Sequence, residues 1–155
     1  MGRVIVYKVR DNSLFGRLIS LWTWEYFNHL AIEFCGYPFY TGDTMCEMAP
    51  SGFVSTTTEQ YNLERYAVAE FNTPILRANA WVMSAMLVDY DWLSIVLWPI
   101  RKWIPNRTGS RWTCIELVHD FLVSCTSVKP PSLDLTPEQY GNELKKQIDK
   151  LKDGG

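Results

Sequence analysis

Thr113-Cys114-Ile115-Glu116 opens a run in which Leu117, Val118, Phe121, Leu122 and Cys125 recur at helical spacing. Apolar residues so spaced line one face of a helix. A threonine with a glutamate three residues on is a capping box, in which each side chain reaches the other residue's backbone N–H. The sequence therefore predicts a helix from Cys114 to about Cys125, with Thr113 as its cap. Its apolar stripe anchors the helix and fixes where Cys114 points. Cys114 then stands in the first turn, where unpaired N–H groups and the helix macrodipole favour an anion. A thiol there ionises more readily than a free one, and the thiolate is the nucleophilic form. The same backbone donors can hold a developing oxyanion. Against this stands the ordinary behaviour of cysteine as a small buried hydrophobe.

A thiol nucleophile needs a base within hydrogen-bond reach, oriented by a third polar group. The chain has two histidines, His29 and His119. His119 follows Cys114 by five residues, about 140° around the helix, and so points away from it. His29 lies in Asn28-His29-Leu30-Ala31-Ile32-Glu33-Phe34, which alternates as a strand, with His29, Ala31 and Glu33 on one face. A strand is a normal place for a base that the fold brings in. Taken alone, a strand histidine is more often structural.

Thr44 to Met48 reads as a second strand, joined to the first by a Gly- and Pro-containing connection that makes a hairpin the economical reading. Within it Glu47 shares a face with Met45, an odd place for an acid unless it is exposed or partnered. A carboxylate there can receive an N–H of His29 and fix its tautomer. Glu33 is the alternative orienter, on the same strand and face as His29 but offset from it along the strand by roughly 13 Å.

With 155 residues, 47% apolar and 21% charged, the chain fits one globular domain. A net charge of −2 gives no global electrostatic case for nucleic acid. The lysines from Lys145 to Lys152 are broken by Asp149 and followed by Asp153, the pattern of a solvated helix face. Cysteines at 35, 46, 114 and 125 form no CxxC pair, and two histidines do not supply the usual structural zinc patterns, so no metal or other cofactor is expected. A disulfide framework is a poor fit for a chain with this much core. The start, Met1 to Lys8, reads as a strand rather than a signal peptide, and Val6 stands where myristoylation needs Ser or Thr. A reducing, cytoplasmic setting is the expectation.

Along the chain, Arg3 to Val9 reads as a strand and Leu14 to Trp24 as a short helix capped from Asp11-Asn12-Ser13. Ala49-Pro50-Ser51-Gly52 breaks the Glu47 strand, and Tyr66 to Phe71 is a further strand. A helix runs from Thr73, as cap, and Pro74 to about Val88. Trp92 to Trp103 is apolar and aromatic, broken by Pro99, and Pro105 to Ser110 is a loop. Leu135-Thr136-Pro137-Glu138 opens a last amphipathic helix. Residues 1–135 are thus expected to form the body of one domain, with 136–155 as its C-terminal helix and tail.

The order of these parts resembles the permuted NlpC-type papain-like superfamily, in which the histidine precedes the cysteine. It is similar in particular to the small bacterial and phage YiiX-like members and, more distantly, to lecithin:retinol acyltransferase-like proteins. The resemblance rests on His29-Leu30-Ala31-Ile32, Glu47-Met48-Ala49-Pro50, Tyr90-Asp91-Trp92 and Cys114-Ile115-Glu116-Leu117-Val118, and spans roughly Val4 to Leu135. Ile115 departs from it, standing where a serine is common. The resemblance implies an α+β papain-like fold, with a small antiparallel sheet against the cysteine-bearing helix. It also implies a Cys114-His29-Glu47 triad that hydrolyses or transfers at an amide, ester or thioester, with a peptide, lipid or acylated protein as substrate. The competing class is a non-catalytic binding or virion-associated module on the same scaffold. Trp92 to Ile104 is too short to span a bilayer, and serves either as aromatic core and lid or as a peripheral membrane contact.

Overall fold

In the computed structural model, which describes residues 1–38, 40–97, 100 and 111–154, the chain is α+β. Five strands, β1 (Gly2–Val9), β2 (His29–Cys35), β3 (Thr44–Ala49), β4 (Gly52–Thr57) and β5 (Arg65–Thr73), pair antiparallel in the order β4-β3-β2-β1-β5. β2 is therefore the central strand, and all its residues are buried. Its alternation sorts side chains between two packed faces rather than between core and water. Leu30, Ile32 and Phe34 join the main core with Val4, Val6, Cys46 and Met48. Ala31 joins a smaller cluster with Val9, Met45 and Tyr61.

Among the described residues, five α-helices complete the fold: α1 (Leu14–Thr23), α2 (Ile75–Ala85), α3 (Trp92–Val96), α4 (Cys114–Cys125) and α5 (Pro137–Asp153). α4 lies against β2 and β3, where Phe121 meets Phe34 edge-on at 6.1 Å between ring centroids. α5 opens with a Thr136–Gln139 capping box and sends Tyr140, Leu144 and Ile148 into the main core. The C-terminal helix is thus built into the same core as the sheet. Among the described residues no helix is long and apolar enough to cross a membrane.

Several expected elements differ. β4 has no counterpart in the sequence reading. It returns from β3 through Pro50-Ser51, with Gly52 at φ +104°, a conformation that favours glycine. Thr73 is not a helix cap. It ends β5 opposite Gly2, and Pro74 takes the cap position of α2. Ladder pairing has outcompeted capping there, and the Thr73 hydroxyl is buried with no hydrogen-bond partner among the described residues. α2 stops at Ala85 because Asp89-Tyr90 (β6) pairs in parallel with Arg111-Trp112 (β7). Of the aromatic segment expected over 92–103, Trp92–Val96 is helical, capped by the Asp91 carboxylate on Ser94 N at 3.2 Å. Residues 98, 99 and 101–103 of it, and the loop expected over 105–110, lie outside the described residues.

Candidate active site

The site forms where the N-terminus of α4 meets the start of β2. Thr113 is the cap of α4, and its backbone N–H donates to the Glu116 carboxylate, closing the capping box that the sequence predicts. Cys114 is the first helical residue and only 4% exposed. The apolar stripe Ile115, Leu117, Val118, Phe121 and Leu122 is wholly buried, so the helix cannot turn to carry the sulfur elsewhere.

His29 begins β2, and the pairing of Ile32 with Cys46 sets Glu47 opposite Ala31, diagonal to His29 on one face. Diagonal neighbours lie within reach of long side chains, and His29 Nε2 and Glu47 Oε2 are 2.8 Å apart. Cys114 lies near enough to the same imidazole for its charge to favour the imidazolium. Burial opposes a charge on His29, but Cys114 and Glu47 outweigh it and hold the imidazolium pKa well above its ordinary value.

The three residues expected as nucleophile, base and orienter are thus brought together. The alternatives lie elsewhere. Glu33 accepts hydrogen bonds from Tyr7 Oη at 2.6 Å and Thr58 Oγ1 at 2.8 Å. His119 Nδ1 lies 3.2 Å from Tyr140 Oη, and burial lowers its pKa.

Three further residues shape the site. Tyr90 pairs with Trp112, two residues before Cys114, and feels the Cys114 charge; burial first, then that charge, pushes its hydroxyl pKa up. Asn28, fully buried beside His29, donates to the Asp11 and Gly16 carbonyls at 2.9 and 2.8 Å and accepts from Asp11 N at 2.7 Å. It thereby ties the loop before α1 to the strand that carries the base. Tyr61 Oη donates to Glu47 Oε2 at 3.0 Å. For Asn28 a signal existed, a polar residue opening an apolar strand; Tyr61 lies between strands and carried none.

A cavity of ≈ 110 Å³ opens onto this cluster, walled by Asp11, Phe15, Gly16, His29, Glu47 and Tyr90 among others. A Cβ on Gly16 would fall 2.5 Å from the Asp11 carbonyl oxygen, so only glycine lets the two backbones close this wall. Cys114 is not part of the described wall.

All four cysteines are free thiols. Burial pushes Cys46 up to about 12 and Cys125 up to about 11, and it raises Cys35 as well. Away from the site, Glu33, Cys35 and Asp43 bring ligand-type atoms within 4.8 Å of one another, although the Glu33 carboxylate already accepts two hydrogen bonds. Searches against protein-family models, curated proteins and solved structures returned no match to this chain.

Proposed function

We propose that the protein is a cysteine hydrolase or acyltransferase of permuted papain-like architecture, acting on an amide, ester or thioester carbonyl. One observation carries this reading: a single buried imidazole, 2.8 Å from the Glu47 carboxylate, also feels the charge of Cys114 at the head of α4. In the first step the Cys114 thiolate attacks the carbonyl carbon and forms a C–S bond, while backbone N–H groups at the start of α4 face the oxyanion. His29 then gives its proton to the departing amine, alcohol or thiol as that bond breaks, leaving an acyl thioester on Cys114. Neutral His29 next takes a proton from water or from an acceptor, whose attack expels the thiolate. Water as acceptor makes a hydrolase, and an amine, alcohol or thiol makes an acyltransferase.

Iodoacetamide labelling near neutral pH, read by mass spectrometry, tests the reading. Cys35, Cys46 and Cys125 are held protonated by burial, so one label is expected, on Cys114. No label, or labels spread over several cysteines, would leave a non-catalytic module as the better account.

Glu47→Gln is expected to lower turnover by less than loss of Cys114 or His29 does, because an orienter assists without reacting. Its pH signature follows from sign. The Glu47 charge favours the imidazolium, so removing it lowers the His29 pKa. The alkaline limb of kcat/KM, which reports loss of the imidazolium, therefore lies well above pH 6.5 in the parent protein and moves to lower pH in Glu47→Gln. A limb that stays in place removes Glu47 from the site. Glu33→Gln should leave both rate and limb unchanged.

A further inference from the structure

Glu47 is held by more than the histidine that it orients. Its Oε2 accepts from His29 Nε2 at 2.8 Å and from Tyr61 Oη at 3.0 Å, so two donors from different segments converge on one carboxylate oxygen. The Glu47 side chain is 18% exposed, on a strand one removed from the sheet edge, and has room to turn toward water. Tyr61 has no such freedom. It is 8% exposed, with its ring packed among Val9, Ala31 and Met45. Its N–H is bound at 3.2 Å to the carbonyls of Thr57 and Thr58, which flank the start of a 3₁₀ turn over Thr58–Gln60. Its carbonyl accepts from Arg65 Nη1 at 3.1 Å, and the Arg65 guanidinium also lies 5.6 Å from its ring centroid.

We infer that Tyr61 is a positioning residue for Glu47, its fixed hydroxyl keeping the carboxylate turned onto His29. Without that hydroxyl the carboxylate keeps one tether among the described residues, and that tether is the group it has to orient. Rotation toward water then removes part of the negative charge beside the imidazole. The titratable and charged groups facing this pair are His29 from β2, Asp11 from the loop before α1 and Arg65 from β5. Cys114 from α4 faces His29 in turn, with Tyr90 of β6 beside the thiol. Arg65 touches Tyr61 and Tyr7, and no hydrogen bond or ion pair among the described residues joins it to Glu47, so it does not substitute for the hydroxyl.

The inference rests on the proposed function only for its bearing on turnover, and its test is made without the thiol. In a Cys114→Ala protein, NMR titration of the His29 imidazole is compared with and without Tyr61→Phe, and again in a Glu47→Gln background. His119 serves as the internal control. Phenylalanine keeps the packed ring and removes only the donor. Tyr61→Phe is expected to lower the His29 midpoint by about one pH unit, a fraction of the full effect of a neighbouring carboxylate. With Glu47→Gln already present it should shift nothing, since the charge to be positioned is gone. An unmoved midpoint, or an equal shift in both backgrounds, would overturn the inference, the second outcome showing that Tyr61 acts on His29 through general packing. Failure of the labelling experiment would remove the catalytic reading and leave this result standing.

Discussion

Cys114→Ala is expected to abolish acyl turnover, by roughly 10⁴-fold or more, while the protein stays folded. The sulfur is the only group at the head of α4 that can form the covalent bond, and neither His29 nor Glu47 can attack in its place. The structural cost is small because alanine keeps the Cβ and has a high helix propensity. The capping box is made by Thr113 and Glu116, not by the thiol. Loss of one sulfur from a buried site should cost about 1 kcal/mol, within the usual range for a single core truncation. Turnover assays on cell-wall peptide, lipid ester and acylated protein, paired with thermal melts, read both quantities. Full activity in a folded Cys114→Ala protein would end the proposed mechanism.

His29→Ala should be nearly as damaging, whereas His119→Ala should be mild. Members of a nucleophile-base unit fail together, because either loss removes the activated thiolate. The two histidines differ in what surrounds them. His29 is buried between Cys114 and Glu47, and its pKa is held up by them. His119 meets Tyr140 of α5 and has its pKa lowered by burial. His29→Ala also leaves the Glu47 carboxylate with Tyr61 as its one hydrogen-bond donor among the described residues. A loss of about 2 kcal/mol in stability is therefore expected beside the loss of turnover. Melting curves for both variants separate the two effects. An essential His119 with a dispensable His29 would reverse the assignment of the base.

The parts of this arrangement that were legible in the sequence share one property: each is set by neighbours a few residues away. Thr113 and Glu116 announce the start of α4 within one turn, and the stripe from Leu117 to Cys125 announces its buried face. The His29 strand and the Glu47 strand follow from alternation and a Gly- and Pro-containing connection. What was missed depends on residues far away in the chain. β4 is rich in Ser and Thr, and only pairing with β3 makes Phe53 to Thr57 a strand. Thr73 looks like a cap next to Pro74, yet Gly2 across the sheet claims its backbone. Tyr61 has no periodic pattern around it, and its importance appears only once β2 and β3 bring Glu47 within 3.0 Å of its hydroxyl.

The sheet has a consequence for the order in which reactivity can arise on a growing chain. All five strands of the antiparallel sheet lie between Gly2 and Thr73, so base, orienting acid and the tyrosine that grips that acid belong to segments made first. The thiol is made some forty residues after β5 ends. Its helix buries much of its stripe against β2 and β3, which have to be paired first. N-terminal segments emerge and organise first during synthesis. A chain interrupted before Cys114 would therefore carry a base with nothing to activate, and a chain that had not closed its sheet would carry a cysteine with no base beside it. If the proposed function holds, competence arrives in one event, the docking of α4, which would couple chemical reactivity to completed folding and keep a reactive thiol off unfinished chains.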